Sequence, residues 1–151
     1  MAAMLLCSLT AKGEAVEIEG IWYNLTIPTR EAEVTRNPNI GDHEASYSAS
    51  SITIHATVTY EDVIYSVTSI GDSAFQGCTN LATITIPESV TSIGEWAFNH
   101  CISLITINIP EGVTNIGSSA FRGCRTYVNL PCPKKAIQQS SELLSPLDSF
   151  I

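Results

Sequence analysis

The sequence predicts a short α/β solenoid, a stack of coils that each contribute a brief helical segment and a brief strand. Three observations lead there. The block Val67-Thr-Ser-Ile-Gly-Asp-Ser-Ala-Phe-Gln-Gly-Cys78 returns after 23 residues from Val90 to Cys101, and again from Val113 to Cys124. Self-similarity at a period between 20 and 50 residues is the signature of stacked architectures. Within each block the apolar residues (Ile70, Ala74, Phe75, Cys78 and Leu81 in the first) are spaced as on one face of a helix. After Leu81 the period changes to two, as in a half-buried strand.

From the N-terminus, residues 1–13 contain an apolar run, Ala2 to Ala11, and a small-x-small site at Ala11-Lys12-Gly13. They are read as a truncated signal peptide lacking its basic start. Residues 14–50 are expected to form an N-terminal β-hairpin cap. Val16-Glu-Ile-Glu19 alternates, Ile21, Tyr23 and Leu25 continue the alternation past Gly20, Pro28-Thr-Arg30 turns the chain, and Glu31 to Thr35 returns. Asn37 to Ser50 is rich in turn residues and reads as a loop. The repeats occupy 51–133, beginning with a partial unit. Ser51 to Val58 matches the strand half of a repeat, and Tyr60 to Tyr65 forms a second hairpin.

Three clear copies follow. Gly71 and Asp72, with Glu95 and Ser118 in the Asp72 slot, are expected to start the helical segment. Ile84 and Ile86 face the core while Thr83 and Thr85 face outward, Pro87 ends the strand, and Val90 with Ile93 forms a second extended piece. Stacking predicts ladders of Phe75, Phe98 and Phe121. The degenerate last copy, Tyr127 to Pro133, is aligned at the same 23-residue offset, which puts Leu130 over Ile107 over Ile84. Paired coils should lie about 4.7–4.9 Å apart. Residues 134–151 are a C-terminal tail or cap.

Composition narrows function. The net charge is −8, and no Lys or Arg occurs between Asn37 and Phe121, so a nucleic-acid partner is not expected. The basic residues Arg122, Arg125, Lys134 and Lys135 read as a solvated end. No apolar run is long enough to span a membrane. Asn24-Leu25-Thr26 matches a glycosylation acceptor, a short pattern that often recurs by chance.

No catalytic constellation emerges. Ser73 follows Gly71-Asp72, yet the same slot holds Trp96 and Ser119, so it is a variable outward position without a nucleophile elbow. Cys78, Cys101 and Cys124 recur every 23 residues, a spacing that offers no zinc site, and read as core, as does Cys132. His43, His55 and His100 share no face. Asp72 and Glu95 are repeat-equivalent, but Ser118 follows and no acid pair forms. No cofactor or metal is expected, and the chain is not expected to be an enzyme. What remains is a surface. The outward strand residues Thr83, Thr85, Thr106, Asn108 and Asn129 form a polar row, and Trp96 stands in an outward slot of the helical segment.

The pattern Ile70-Gly71, Ala74-Phe75, Cys78, Leu81, Ile84, Ile86-Pro87, with its equivalents one and two repeats on, resembles the BspA-like (treponemal-type) leucine-rich-repeat family. Glu19 to Leu25, followed by Glu31 to Thr35, is similar to the leader preceding such repeats in Bacteroidales proteins. The resemblance implies a right-handed leucine-rich-repeat stack. It further implies a secreted or cell-surface location and non-catalytic binding or adhesion to a protein ligand, such as a host matrix or another cell-surface protein. The alternative is a structural spacer within a larger repeat protein. Nothing in the sequence addresses oligomeric state.

Overall fold

The computed structural model describes residues 14–41, 44–125 and 127–129, the last three as backbone only. The expected signal peptide (1–13) and C-terminal tail (134–151), along with His43, Leu130 and Cys132, lie outside the described residues.

The cap forms as the alternation predicts, with one refinement. Strands β1 (Val16–Ile18) and β2 (Ile21–Thr26) are separate and antiparallel, Ile18 opposite Ile21. Between them Glu19 and Gly20 have φ of 51° and 81°. Two positive φ values in a two-residue connection make the turn whose twist matches paired strands, so the alternation that runs through Gly20 in the sequence folds back there. Strand β3 (Glu31–Thr35) pairs antiparallel with β2. Tyr23, Leu25, Ala32 and Val34 are buried between cap and repeats.

Strand β4 (Ser51–Thr53) behaves as the strand half of a repeat, pairing in parallel with β7 (Thr83–Thr85), Ile52 opposite Ile84. The inserted hairpin is β5 (Thr57–Tyr60) and the first half of β6 (Val63–Ile70), turning through Glu61 and Asp62, again both with positive φ. The second half of β6 joins cap to repeats. It pairs in parallel with β3 on one side and with β8 (Ser92–Ile93) on the other, and β8 pairs with β10 (Asn115–Ile116). One seven-stranded sheet thus runs from β1 to β10, and Ile70, Ile93 and Ile116 hold one register. On the other side of the coils, β9 (Thr106–Asn108) pairs in parallel with β11 (Tyr127–Asn129).

Two expectations are corrected. First, there is no helix among the described residues, and Ile70 to Leu81 is a run of turns. The N–H groups of Ser73, Phe75 and Gly77 donate to Glu95, Ala97 and Asn99 of the next coil at 2.8, 2.7 and 2.8 Å. The alternate ones, Ala74, Gln76 and Cys78, donate three residues back, to Gly71, Ser73 and Phe75. An α-helix needs every N–H directed four residues back. Positive φ at Ser73, Trp96 and Ser119, and at Gly77, His100 and Gly123, forbids it. The apolar spacing reports correctly which residues point inward: Ile70, Ala74, Phe75, Cys78 and Leu81 are all buried. It misreports the backbone, because an isolated helical turn is costly to nucleate and the neighbouring coil offers a ladder instead. For the same reason Asp72 does not start a helix, and its Oδ1 accepts the N–H of Glu95 one coil on, at 2.8 Å.

Second, the last copy is shifted. Val128, not Leu130, stands opposite Ile107, and Asn129 opposite Asn108, an offset of 21 residues. Matching the final proline of the segment to Pro110 misled the alignment. In the observed register Leu130-Pro131 takes the place of Ile109-Pro110 in the sequence.

The core is continuous from Ile21 to Phe121. Its spine is aromatic. Phe75 stacks on Phe98 with ring centroids 5.2 Å apart, and Phe98 on Phe121 at 5.3 Å, the planes within 6° and 3° of parallel. The column continues into the loop before β4, where Tyr47 covers Phe75 at 5.0 Å. Its hydroxyl donates to Thr35 O (2.6 Å) and accepts the Trp22 N–H (3.1 Å), tying the loop to β2 and β3. Tyr47→Phe would leave both backbone groups short of a partner, and a loss of about 1–2 kcal/mol is expected in urea unfolding.

Buried phenols make the fold sensitive to alkali. Burial, with a smaller contribution from Glu19, pushes Tyr23 up to about 12 from its ordinary 10.0, and burial pushes Tyr47 up too. Below pH 10 both folded and unfolded chains keep these phenols protonated, so their contribution is intact. Above it the unfolded chain ionises first and stability falls. The melting temperature is expected to drop between pH 10 and 12, and a flat profile there would contradict the burial of Tyr23.

Candidate interaction surface

The strands that line one side of the coils put every second side chain into solvent. On β4 these are Ser51 and Thr53, on β7 Thr83 and Thr85, on β9 Thr106 and Asn108, and all six are exposed. Between them Ile52, Ile84 and Ile107 point inward and are buried. Parallel pairing sets Ser51 beside Thr83 and Thr53 beside Thr85, and the Thr83 hydroxyl donates to Ser51 Oγ at 2.9 Å. Strand β9 packs next to β7, and Asn129 extends the row by backbone register with Asn108.

Four of the sequence-derived residues, Thr83, Thr85, Thr106 and Asn108, therefore share one face. Ser51 and Thr53 belong with them, and the signal was present, since Ser51-Ile-Thr53 repeats the alternation of Thr83-Ile-Thr85. Trp96 does not belong to this row. It sits in the turn segment of the second coil, 46% exposed, with its N–H donated to Ser118 O. Ile102 and Ile105, exposed by 50% and 63%, precede β9 and supply aliphatic area near the row. The row is uncharged, so it can form neutral hydrogen bonds and apolar contacts but no ion pairs.

The other candidates are occupied structurally. The Cys101 thiol donates to Phe75 O (3.0 Å) and the Cys124 thiol to Phe98 O (2.8 Å), so these cysteines tie one coil to the previous one. The neighbouring Cys124 thiol and then burial hold Cys101 well above the ordinary thiol range, and burial raises Cys78. Since the thiolate is the nucleophile, Cys78 and Cys101 are expected to resist an aromatic disulfide reagent at neutral pH until the protein is unfolded, as mass mapping of labelled peptides would show. His100 bonds Asn99, its ring lies against Gly123, and among the described residues no hydrogen bond joins a serine to a histidine. No cluster of metal-ligating side chains occurs among the described residues, and no helix there is long and apolar enough to cross a membrane.

Comparison with known proteins agrees with this architecture. Residues 45–146 match the model of the BspA-type leucine-rich repeat region, in six copies. A leucine-rich cell surface protein from Faecalibacterium prausnitzii is 30% identical, with a TM-score of 0.63 over 76% of this chain and 30% of its own. A leucine-rich repeat protein from Bacteroides ovatus is 28% identical, with a TM-score of 0.52 over 76% of this chain and 37% of its own. One from Bacteroides capillosus, 23% identical with a TM-score of 0.52, is covered over 98% of its length and shares the fold. The chain thus spans about a third of the length of the first two. No curated protein matches. On the repeat match, which covers more than half of its length, the chain belongs to the BspA-type leucine-rich repeat family.

Proposed function

We propose that this chain is a non-catalytic, protein-binding module of a secreted or cell-surface bacterial protein. Its coils form a right-handed solenoid whose strand face receives the partner. The observation that carries the reading is the uncharged outward row on β4, β7 and β9 (Ser51, Thr53, Thr83, Thr85, Thr106, Asn108), which Asn129 extends. Stacked-repeat proteins use extended faces of this kind for recognition. Similarity to a leucine-rich cell surface protein supports the location, and an adhesive role toward a host matrix or other cell-surface protein fits both. Trp96 is a second contact point on the turn side.

The test is capture of immobilised host matrix proteins and intact bacterial cells by the purified chain. Thr85→Arg combined with Asn108→Arg should weaken capture at least tenfold without altering the melting temperature. Capture that ignores this pair, or no capture of any of these targets, would overturn the strand-face assignment.

One observation favours a second reading, a spacer within a longer array. In the first two coils the N–H groups of Ser73, Phe75 and Gly77, and of Trp96, Phe98 and His100, each donate to the following coil. Their equivalents Ser119, Phe121 and Gly123 have no partner for the N–H among the described residues. That is the edge a further coil would occupy. Hydrogen exchange at these amides as slow as at Trp96, Phe98 and His100 would remove this support.

A further inference from the structure

A groove of about 340 Å³ opens where the β1–β2 turn faces the loop leading into β4. Its floor is apolar, formed by Ile21 and Ile52, both buried. Its walls carry hydroxyls, Ser46 and Ser48 from the loop and Ser51 and Thr53 from β4, and its rim carries one carboxylate, Glu19. Ser51 and Thr53 are also the first two members of the strand-face row, so the groove is continuous with that surface.

The charge is the informative part. Glu19 makes no hydrogen bond or ion pair among the described residues, yet its charge is felt by the buried Tyr23 phenol. No cation lies between Asn37 and Phe121 to neutralise it from the repeats. Other carboxylates on the sheet side are engaged: Glu33 accepts from Asn24 (3.1 Å) and Asp72 from the Glu95 N–H. Glu19 also sits at a left-handed position, φ 51°, where Asn before Gly is the ordinary choice. The backbone therefore gives no reason for glutamate there.

We propose that this groove is the end pocket of the strand-face surface and takes a basic side chain, lysine or arginine, from a protein partner. The proposal rests on the protein-binding reading above. The aliphatic stem lies over Ile21 and Ile52, as long basic side chains do on apolar surface, and the cationic head meets Glu19 with the serine hydroxyls as further acceptors. A pocket of this size suits one side chain rather than a folded element.

The test uses Nα-acetyl-lysine methylamide as probe, titrated into the isotope-labelled protein and read from backbone amide shifts. The probe should move the signals of Gly20, Ser48, Ser51 and Thr53 with a dissociation constant on the order of 1–10 mM, as expected of so small a ligand. The norleucine analogue, with the same stem and no charge, should bind more weakly. Glu19→Asn keeps a left-handed turn and should leave the fold intact while weakening the lysine probe about three- to fivefold, the worth of a partly exposed ion pair. Glu19→Gln is the second variant and should weaken it alike. Equal binding of both probes, no change in either variant, or shifts with methyl glucoside alone would overturn the proposal. Because no partner is used, such a failure leaves the strand-face reading standing, and that reading fails separately on the Thr85 and Asn108 variants.

Discussion

Phe98→Ala is expected to lower the unfolding free energy by about 3–5 kcal/mol, the range for deleting a buried aromatic ring. Phe98 has no exposed surface and has a parallel ring on each side, Phe75 at 5.2 Å and Phe121 at 5.3 Å. Part of the cost is transfer of the ring, part is the loss of two offset stacks worth roughly 0.5–1.5 kcal/mol each, and part is the cavity. The cavity cannot close easily, because the coils are pinned around it. Phe75 N–H donates to Ala97 O, Phe98 N–H to Ala120 O, and the Cys124 thiol to Phe98 O. Phe121→Ala removes a ring with one stacked neighbour and should cost less. Trp96→Ala, in the same coil but 46% exposed, should stay within about 1 kcal/mol of the parent. Urea unfolding of the three variants checks the order. A Phe98 variant no worse than the Phe121 variant would show that the aromatic column is not the spine of the stack.

Much of this organisation was legible because repetition separates what is required from what is tolerated. The slots of Phe75 and Cys78 do not vary between copies, and both proved to be interior. The slot of Ser73 varies to Trp96 and Ser119, and Trp96 proved exposed. The strand face followed from period two alone, and the structure set Thr83, Thr85, Thr106 and Asn108 on it together. The backbone of the turn segment was not legible, because spacing reports direction rather than dihedral angles. Inward residues four, one, three and three apart fit a helix and equally fit alternating turns whose spare N–H groups reach the next coil. Tyr47 was hidden for another reason. It lies in a segment with no repeat to compare against, and its role as the end of the aromatic column depends on contacts with Phe75, Thr35 and Trp22 distant in sequence. Glu19 escaped notice likewise, since its significance lies in a groove built from a turn and a loop that the chain brings together only on folding.

Gly94→Ala is the second substitution expected to damage the fold severely, for a reason opposite to that of Phe98. A Cβ at Gly94 would lie 2.6 Å from the Asp72 nitrogen and 2.7 Å from the Gly71 carbonyl carbon, and at Gly117 2.4 Å from the Glu95 nitrogen. These are backbone atoms of the preceding coil, so no rotamer change relieves the contact. The coils come this close because Gly94 N–H donates to Ile70 O and Gly117 N–H to Ile93 O, both at 2.8 Å. A methyl group would have to spread the stack at its tightest point and break that ladder. Overpacking of an interior site costs typically 1–3 kcal/mol when side chains can yield; with backbone on the receiving side, about 3 kcal/mol or more is expected. The Gly77 slot provides the control. A Cβ there meets nothing within 4 Å, and the middle coil already carries His100 in that position. Gly77→Ala should therefore cost only the left-handed backbone penalty, roughly 1–2 kcal/mol. Thermal and urea unfolding of the two alanine variants separate close approach from backbone freedom. Equal losses at Gly94 and Gly77 would mean that the invariant glycine of the repeat serves its dihedral angles rather than the contact between coils.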